Sequence, residues 1–152
     1  MTARTWLITG VSSGFGHALT TQLLERGERV IGTVRDTAKV ADLSSKHPDT
    51  FQARVLDVTD TTAVRKTVDE AFAAGRVDVV VSNAGYGLFG AAEEITDAQV
   101  DHIIATNLTG SITLIRAALP HLRAQGGGRI VQLSTYGGQV AFPGNSMYHA
   151  TK

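Results

Sequence analysis

Short apolar runs alternating with longer stretches of helical period constrain this chain more than any other feature. Thr5–Thr9 (TWLIT) ends in a glycine, and Phe15–Arg26 follows with Phe15, Leu19 and Leu23 spaced on one helical face and Gly27 placed as a C-terminal cap. Arg29–Val34 reads as a second strand, Thr37–Lys46 as a short helix before Pro48, and Phe51–Val58 as a third strand. Thr62–Ala74 is helical, with Val64, Val68, Ala71 and Phe72 on one side. Val77–Ser82 is apolar nearly throughout, which suits a strand covered on both faces. Thr96–Gln125 reads as one long helix, broken by Gly126–Gly128 before a fifth strand at Arg129–Ser134. Strands separated by helices spell repeated βαβ units, hence an α/β fold with a doubly wound parallel sheet. Right-handed crossovers and a reversal after the third strand predict the order 3-2-1-4-5. No repeat or low-complexity linker interrupts the pattern, so residues 1–152 are read as one domain.

Composition narrows the function. The absence of cysteine excludes a disulfide scaffold and a thiolate metal site, and no metal site is predicted. Fourteen Lys plus Arg balance fourteen Asp plus Glu, which argues against a nucleic-acid partner. The N-terminus lacks the pattern of a signal peptide, and no run approaches the ~18 apolar residues of a bilayer span. A cytoplasmic protein with no membrane span is the expectation.

Thr9–Gly16 reads TGVSSGFG where the first strand turns into the first helix. Glycines at 10, 14 and 16 let backbone amides approach a ligand, and the following helix points its positive end at the same place. A pyrophosphate is the natural occupant, although a Gly-rich turn can also be a plain connection. Gly10–Gly14 also satisfies the G-x-S-x-G pattern of a hydrolase nucleophile elbow at Ser12. The five histidines show no spacing that favours one as its base.

Further along, Asp57 sits at the end of the third strand in LDVTD, and either it or Asp60, the better placed, could cap the next helix. Val100, Ile103, Ile104, Leu108, Ile115 and Leu119 form the apolar stripe of the long helix, and Asn107 lies on or beside it. A buried amide must be paired or it costs on the order of 1–3 kcal/mol. Tyr148 and Lys152 are four apart, so on a helix phenol and ammonium share a face, and a nearby cation favours phenolate. Such a tyrosine can exchange a proton with a carbonyl or alcohol oxygen. After the second strand come Arg35, suited to a ribose 2′-phosphate, and Asp36, near the spacing of an acid that binds a free 2′-OH.

These residues together resemble the short-chain dehydrogenase/reductase family. Its T-G-x-x-x-G-x-G signature is matched position for position, and four more motifs follow in order along essentially all of the chain. The resemblance implies a Rossmann-like fold, with Gly10, Ser12, Ser13, Gly14, Phe15 and Gly16 around the cofactor. It places Asp57 and the backbone of Val58 against the adenine amino group. Ser82-Asn83-Ala84-Gly85 is similar to the family's N-N-A-G, with Ser82 replacing the first Asn, so Asn83, Ala84 and Gly85 would line the cofactor crevice. The family's NAD-selecting acid would fall at Val34 and the arginine of its NADP users at Arg35, which predicts NADP(H) in preference to NAD(H).

The same resemblance makes Tyr148 the general acid/base and gives Lys152 the nicotinamide ribose. Asn107 becomes a helix-kinking residue whose backbone carbonyl holds a relay water. The catalytic hydroxyl falls thirteen residues before Tyr148, on Thr135; a loop one residue shorter would hand it to Ser134. The implied reaction is hydride transfer between nicotinamide and a small-molecule carbonyl or secondary alcohol. Family members continue past the position of Lys152 with further strands and a substrate loop, so the chain is expected to belong to a longer enzyme. Self-association through the long helix is implied, with Ile112, Ile115 and Leu122 as candidates, although core packing suits most of them. The alternatives are a nucleotide-binding module without turnover and, remotely, a serine hydrolase at Ser12.

Overall fold

A computed structural model describes residues 3–152. Five parallel strands, β1 (Thr5–Thr9), β2 (Arg29–Val34), β3 (Phe51–Val55), β4 (Val79–Ser82) and β5 (Arg129–Gln132), form one sheet in the order 3-2-1-4-5. Between them lie α1 (Gly14–Glu25), α2 (Ala41–Lys46), α3 (Thr61–Ala73), α4 (Asp97–Ile103) and α5 (Gly110–Ala124), and α6 (Ser146–Ala150) follows β5. Successive residues of a strand point to opposite faces, and β1 shows it: Leu7 joins Val64, Val68 and Leu114 under α3 and α5, whereas Ile8 joins Leu23, Leu24 and Leu43 under α1 and α2. Both faces are therefore dry, as the apolar run of β4 requires, and all four of its residues are buried. Each such side chain contributes roughly 1.5–3 kcal/mol by leaving water. Asp60 caps α3 by accepting from the amides of Thr62 and Ala63, and Thr96 forms a reciprocal capping box with Gln99 at α4. Gly27, at φ +76°, ends α1 as the sequence requires.

Several boundaries differ from expectation. β3 stops at Val55 and β5 at Gln132, because each chain leaves the ladder to form the rim of the cavity described below. Thr37–Lys46 begins as a 3₁₀ turn, Thr37–Val40, before it becomes α2. In α1 the buried face is Gly16, Thr20, Leu23 and Leu24, while Phe15 is 82% exposed at the cavity mouth.

The expected long helix is interrupted by a π-helical turn, Ile104–Thr109, between α4 and α5. That turn moves the buried face to Ile103, Asn107, Gly110, Leu114, Ala118 and Leu122, and leaves Ile104, Leu108, Ile112 and Leu119 exposed. Only Ile103 of the six stripe residues expected inside is fully buried: Ile104, Leu108 and Leu119 are exposed, and Val100 and Ile115 are half-buried. Taken end to end, Asp97–Ala124 is 28 residues long and, by length and composition alone, apolar enough to cross a membrane. Its buried face, with Leu114, Ala118 and Leu122, packs into the core cluster that holds Leu7 and Val80 of the sheet.

Candidate active site

The β1–α1 turn is built around one hydroxyl and one amide. Thr9 Oγ1 accepts hydrogen bonds from the amides of Asn83 and Ala84 at 3.1 Å each, which joins the ends of β1 and β4. The Asn83 side chain then donates to the carbonyls of Thr9, at 2.8 Å, and Gly10, at 2.9 Å. This packing explains two of the glycines. Gly10 has φ +74°, and a Cβ there would stand 2.9 Å from Ala84 Cα; a Cβ at Gly16 would stand 2.2 Å from the Gly10 carbonyl oxygen. Ser13 precedes α1 without capping it through its side chain, unlike Asp60 at α3, so the amides of the first turn face outward without a side-chain partner.

A cavity of about 1130 Å³ runs over this turn. Gly10, Ser12, Ser13, Gly14 and Phe15 form its floor; Arg35, Asp57 and Val58 line one side; Asn83, Ala84, Gly85, Ser134, Tyr148 and Lys152 line the other. The structure thus brings together nearly all the residues the sequence singled out. Gly16 lies beneath the floor, buried against Gly10 and Asn83, and Asn107 lies behind the wall. Asp36, the rival of Arg35, caps the following 3₁₀ turn by accepting from the Ala38 amide at 3.0 Å. Asp57 does not cap α3. Its Oδ1 accepts from the Thr59 amide and hydroxyl, and these bonds hold its carboxyl below the usual carboxylate range.

At the other end, Tyr148 packs edge-on against Phe89, with ring centroids 5.9 Å apart. Lys152 donates from Nζ to the Leu133 carbonyl at 3.3 Å, and burial pulls its ammonium below the ordinary lysine pKa. Ser134 reaches the cavity, but its hydroxyl donates to the Lys152 carbonyl at 3.1 Å. Thr135 is not among the lining residues; it is half-buried before the turn Tyr136–Gly138, and its hydroxyl has no hydrogen-bond partner among the described residues. No histidine among the described residues hydrogen-bonds to Ser12, so the geometry of a hydrolase triad is not assembled there.

A family model described as short chain dehydrogenase matches residues 4–152. The chain belongs to the short-chain dehydrogenase family. This short-chain dehydrogenase chain is 36% identical over 147 residues to 3-ketodihydrosphingosine reductase of Bacteroides thetaiotaomicron, covering 96% of this chain and 52% of that protein. A solved short-chain dehydrogenase from Streptomyces avermitilis superimposes with a TM-score of 0.95 at 42% identity, covering 100% of this chain and 56% of that one. A metagenomic short-chain oxidoreductase solved in complex with NADP gives a TM-score of 0.91 at 30% identity, with 98% and 70% covered. The chain spans about half the length of the curated relatives it matches.

Sequence reasoning missed several residues of this site. Thr9 was read only as part of a motif, although it is the hinge of the turn. His102 and Thr106 line the cavity from α4 and the π turn, and Tyr86 lines it from the loop after β4. Nothing in the periodicity marks them, because the π turn decides which side chains face the cavity.

Proposed function

We propose that this chain forms the cofactor-binding and proton-transfer part of an NADP(H)-dependent oxidoreductase acting on a carbonyl or secondary alcohol. The observation that carries the reading is that Arg35, the outward amides around Ser12–Phe15, Asp57, Tyr148 and Lys152 all face one continuous cavity. The residues fit a dinucleotide: the floor offers backbone donors at the start of α1 with no side-chain cap competing for them. The NADP-bound neighbour supports a nicotinamide cofactor. Preference for NADP(H) rests on Arg35 being free to meet a 2′-phosphate while Asp36 is engaged as a cap. The cofactor, when bound, supplies or accepts the hydride.

The protein manages the proton. Tyr148 donates it from its phenol to the substrate oxygen in reduction and takes it back in oxidation. Lys152, on the same wall, stabilises the phenolate as the proton leaves and holds the nicotinamide ribose. Thr135, on its spacing from Tyr148, hydrogen-bonds the substrate oxygen, although Ser134 is the member of the pair that lines the cavity. The Asn107 carbonyl, which accepts from the Ser111 hydroxyl at 2.8 Å, holds a relay water. Substrates are small molecules with a ketone or secondary alcohol, and the reductase among the relatives makes long-chain ketones the first to try. The exposed face of Ile104, Leu108, Ile112 and Leu119 is the surface for self-association.

The test is NADPH titration by fluorescence in the full protein, followed by loss of absorbance at 340 nm with a panel of ketones. Saturable binding with turnover is expected. Failure to bind NADPH or NADH in folded protein overturns the reading.

A further inference from the structure

The backbone that carries Tyr148 in α6 is anchored by a chain of buried hydrogen bonds through Thr151. Asn107, 1% exposed in the π turn, uses its whole side chain: Oδ1 accepts from the Tyr86 amide at 3.0 Å, and Nδ2 donates to the Tyr86 carbonyl at 2.8 Å and to Thr151 Oγ1 at 3.1 Å. Thr151, 5% exposed, passes the bond on, its hydroxyl donating to the Tyr148 carbonyl at 2.9 Å. The Thr151 amide reaches the same carbonyl at 3.1 Å, and the Lys152 amide donates to the His149 carbonyl at 3.2 Å. The turn between Tyr148 and Lys152 is therefore tied from inside to the π turn and to the loop after β4.

We propose that Thr151 is a positioning residue, whose hydroxyl keys the Tyr148 backbone to Asn107 and thereby sets phenol and ammonium side by side on the cavity wall. The proposal rests on the oxidoreductase reading for its functional consequence, but the keying itself is independent of it. The hydroxyl works in both directions, accepting from Asn107 and donating to Tyr148, so removing it orphans a buried N–H as well as freeing the turn. Thr151 is not a catalytic residue; it acts through its neighbours.

Valine matches threonine in shape and lacks the hydroxyl, whereas serine keeps the hydroxyl and lacks the methyl. Thr151→Val and Thr151→Ser in the full protein therefore separate keying from packing. The readouts are NADPH affinity by fluorescence and amide hydrogen exchange at Thr151 and Lys152. Keying predicts that Thr151→Val loses protection at both amides and binds NADPH about tenfold or more weakly, as expected of an ångström-scale misplacement, while Thr151→Ser behaves as wild type. Should Thr151→Val fail to fold, Thr151→Ala carries the same comparison with serine. Wild-type behaviour of Thr151→Val, or equal loss in Thr151→Ser, overturns the proposal. Absence of NADPH binding in the wild type would instead sink the oxidoreductase reading, and the exchange measurement would still decide the keying.

Discussion

Arg35 sits on the cavity wall with an exposed side chain, and its charge is the feature most able to tell one dinucleotide from another. Arg35→Ala should weaken NADPH binding about ten- to a hundredfold, the worth of a charge-assisted bond, and leave NADH binding nearly unchanged. Parallel fluorescence titrations with the two nucleotides check this. Asp57 gives a pH signature. Its folded-state pKa is lowered by the Thr59 bonds, so it adds stability that is present above its unfolded value of about 3.8 and is lost as pH falls through the folded value. Asp57→Asn should remove that increment, so that denaturant midpoints of variant and wild type converge below pH 4 and part above it. The hydroxyl pair is separable too. Thr135→Ala should lower kcat about a hundredfold with NADPH affinity kept, whereas Ser134→Ala should act mainly on NADPH affinity by loosening Lys152. A near-normal rate in Thr135→Ala would move the role to Ser134.

Among the elements, α1 and α3 start in opposite ways, and the difference has a measurable side. Asp60 satisfies two amides of α3, so Asp60→Ala should cost about 1 kcal/mol in chemical denaturation and leave nucleotide binding alone. The strand order and the caps at Gly27 and Asp60 were readable because each depends on a local pattern: alternating runs, a left-handed residue after a helix, an acid before one. The ends of β3 and β5 were not, since Leu56 and Leu133 are apolar like strand residues yet belong to the cavity rim. Their burial comes from tertiary contacts that no short window contains. Phe15 was placed on an inward face by its spacing, but at the first turn of α1 that direction opens onto the cavity. Much of the cavity lining was legible through spacing and family resemblance, and Thr9 and Thr151 were not, because both act through long-range bonds, Thr9 to the amides of Asn83 and Ala84 and Thr151 to the Asn107 side chain.

For the whole molecule, the Asp97–Ala124 helix leaves an apolar face exposed, with Ile104, Leu108, Ile112 and Leu119 along it. Ile112, 46% exposed, lies in its middle. Ile112→Glu in the full protein should give a species of lower mass in sedimentation than the wild type, with NADPH affinity retained because Ile112 is remote from the cavity lining. Equal masses would remove this face from consideration as a subunit contact. The π turn has a consequence at the same scale. One surplus residue in a rod of this length acts as a phase shift of roughly 100° between its two ends. His102 and Thr106 on the upstream end then face the cavity, while Leu114, Ala118 and Leu122 downstream pack in the core beneath the sheet. The rod's cavity-lining side chains thereby sit on a different stretch from these three, so a substitution at His102 or Thr106 leaves that downstream packing untouched.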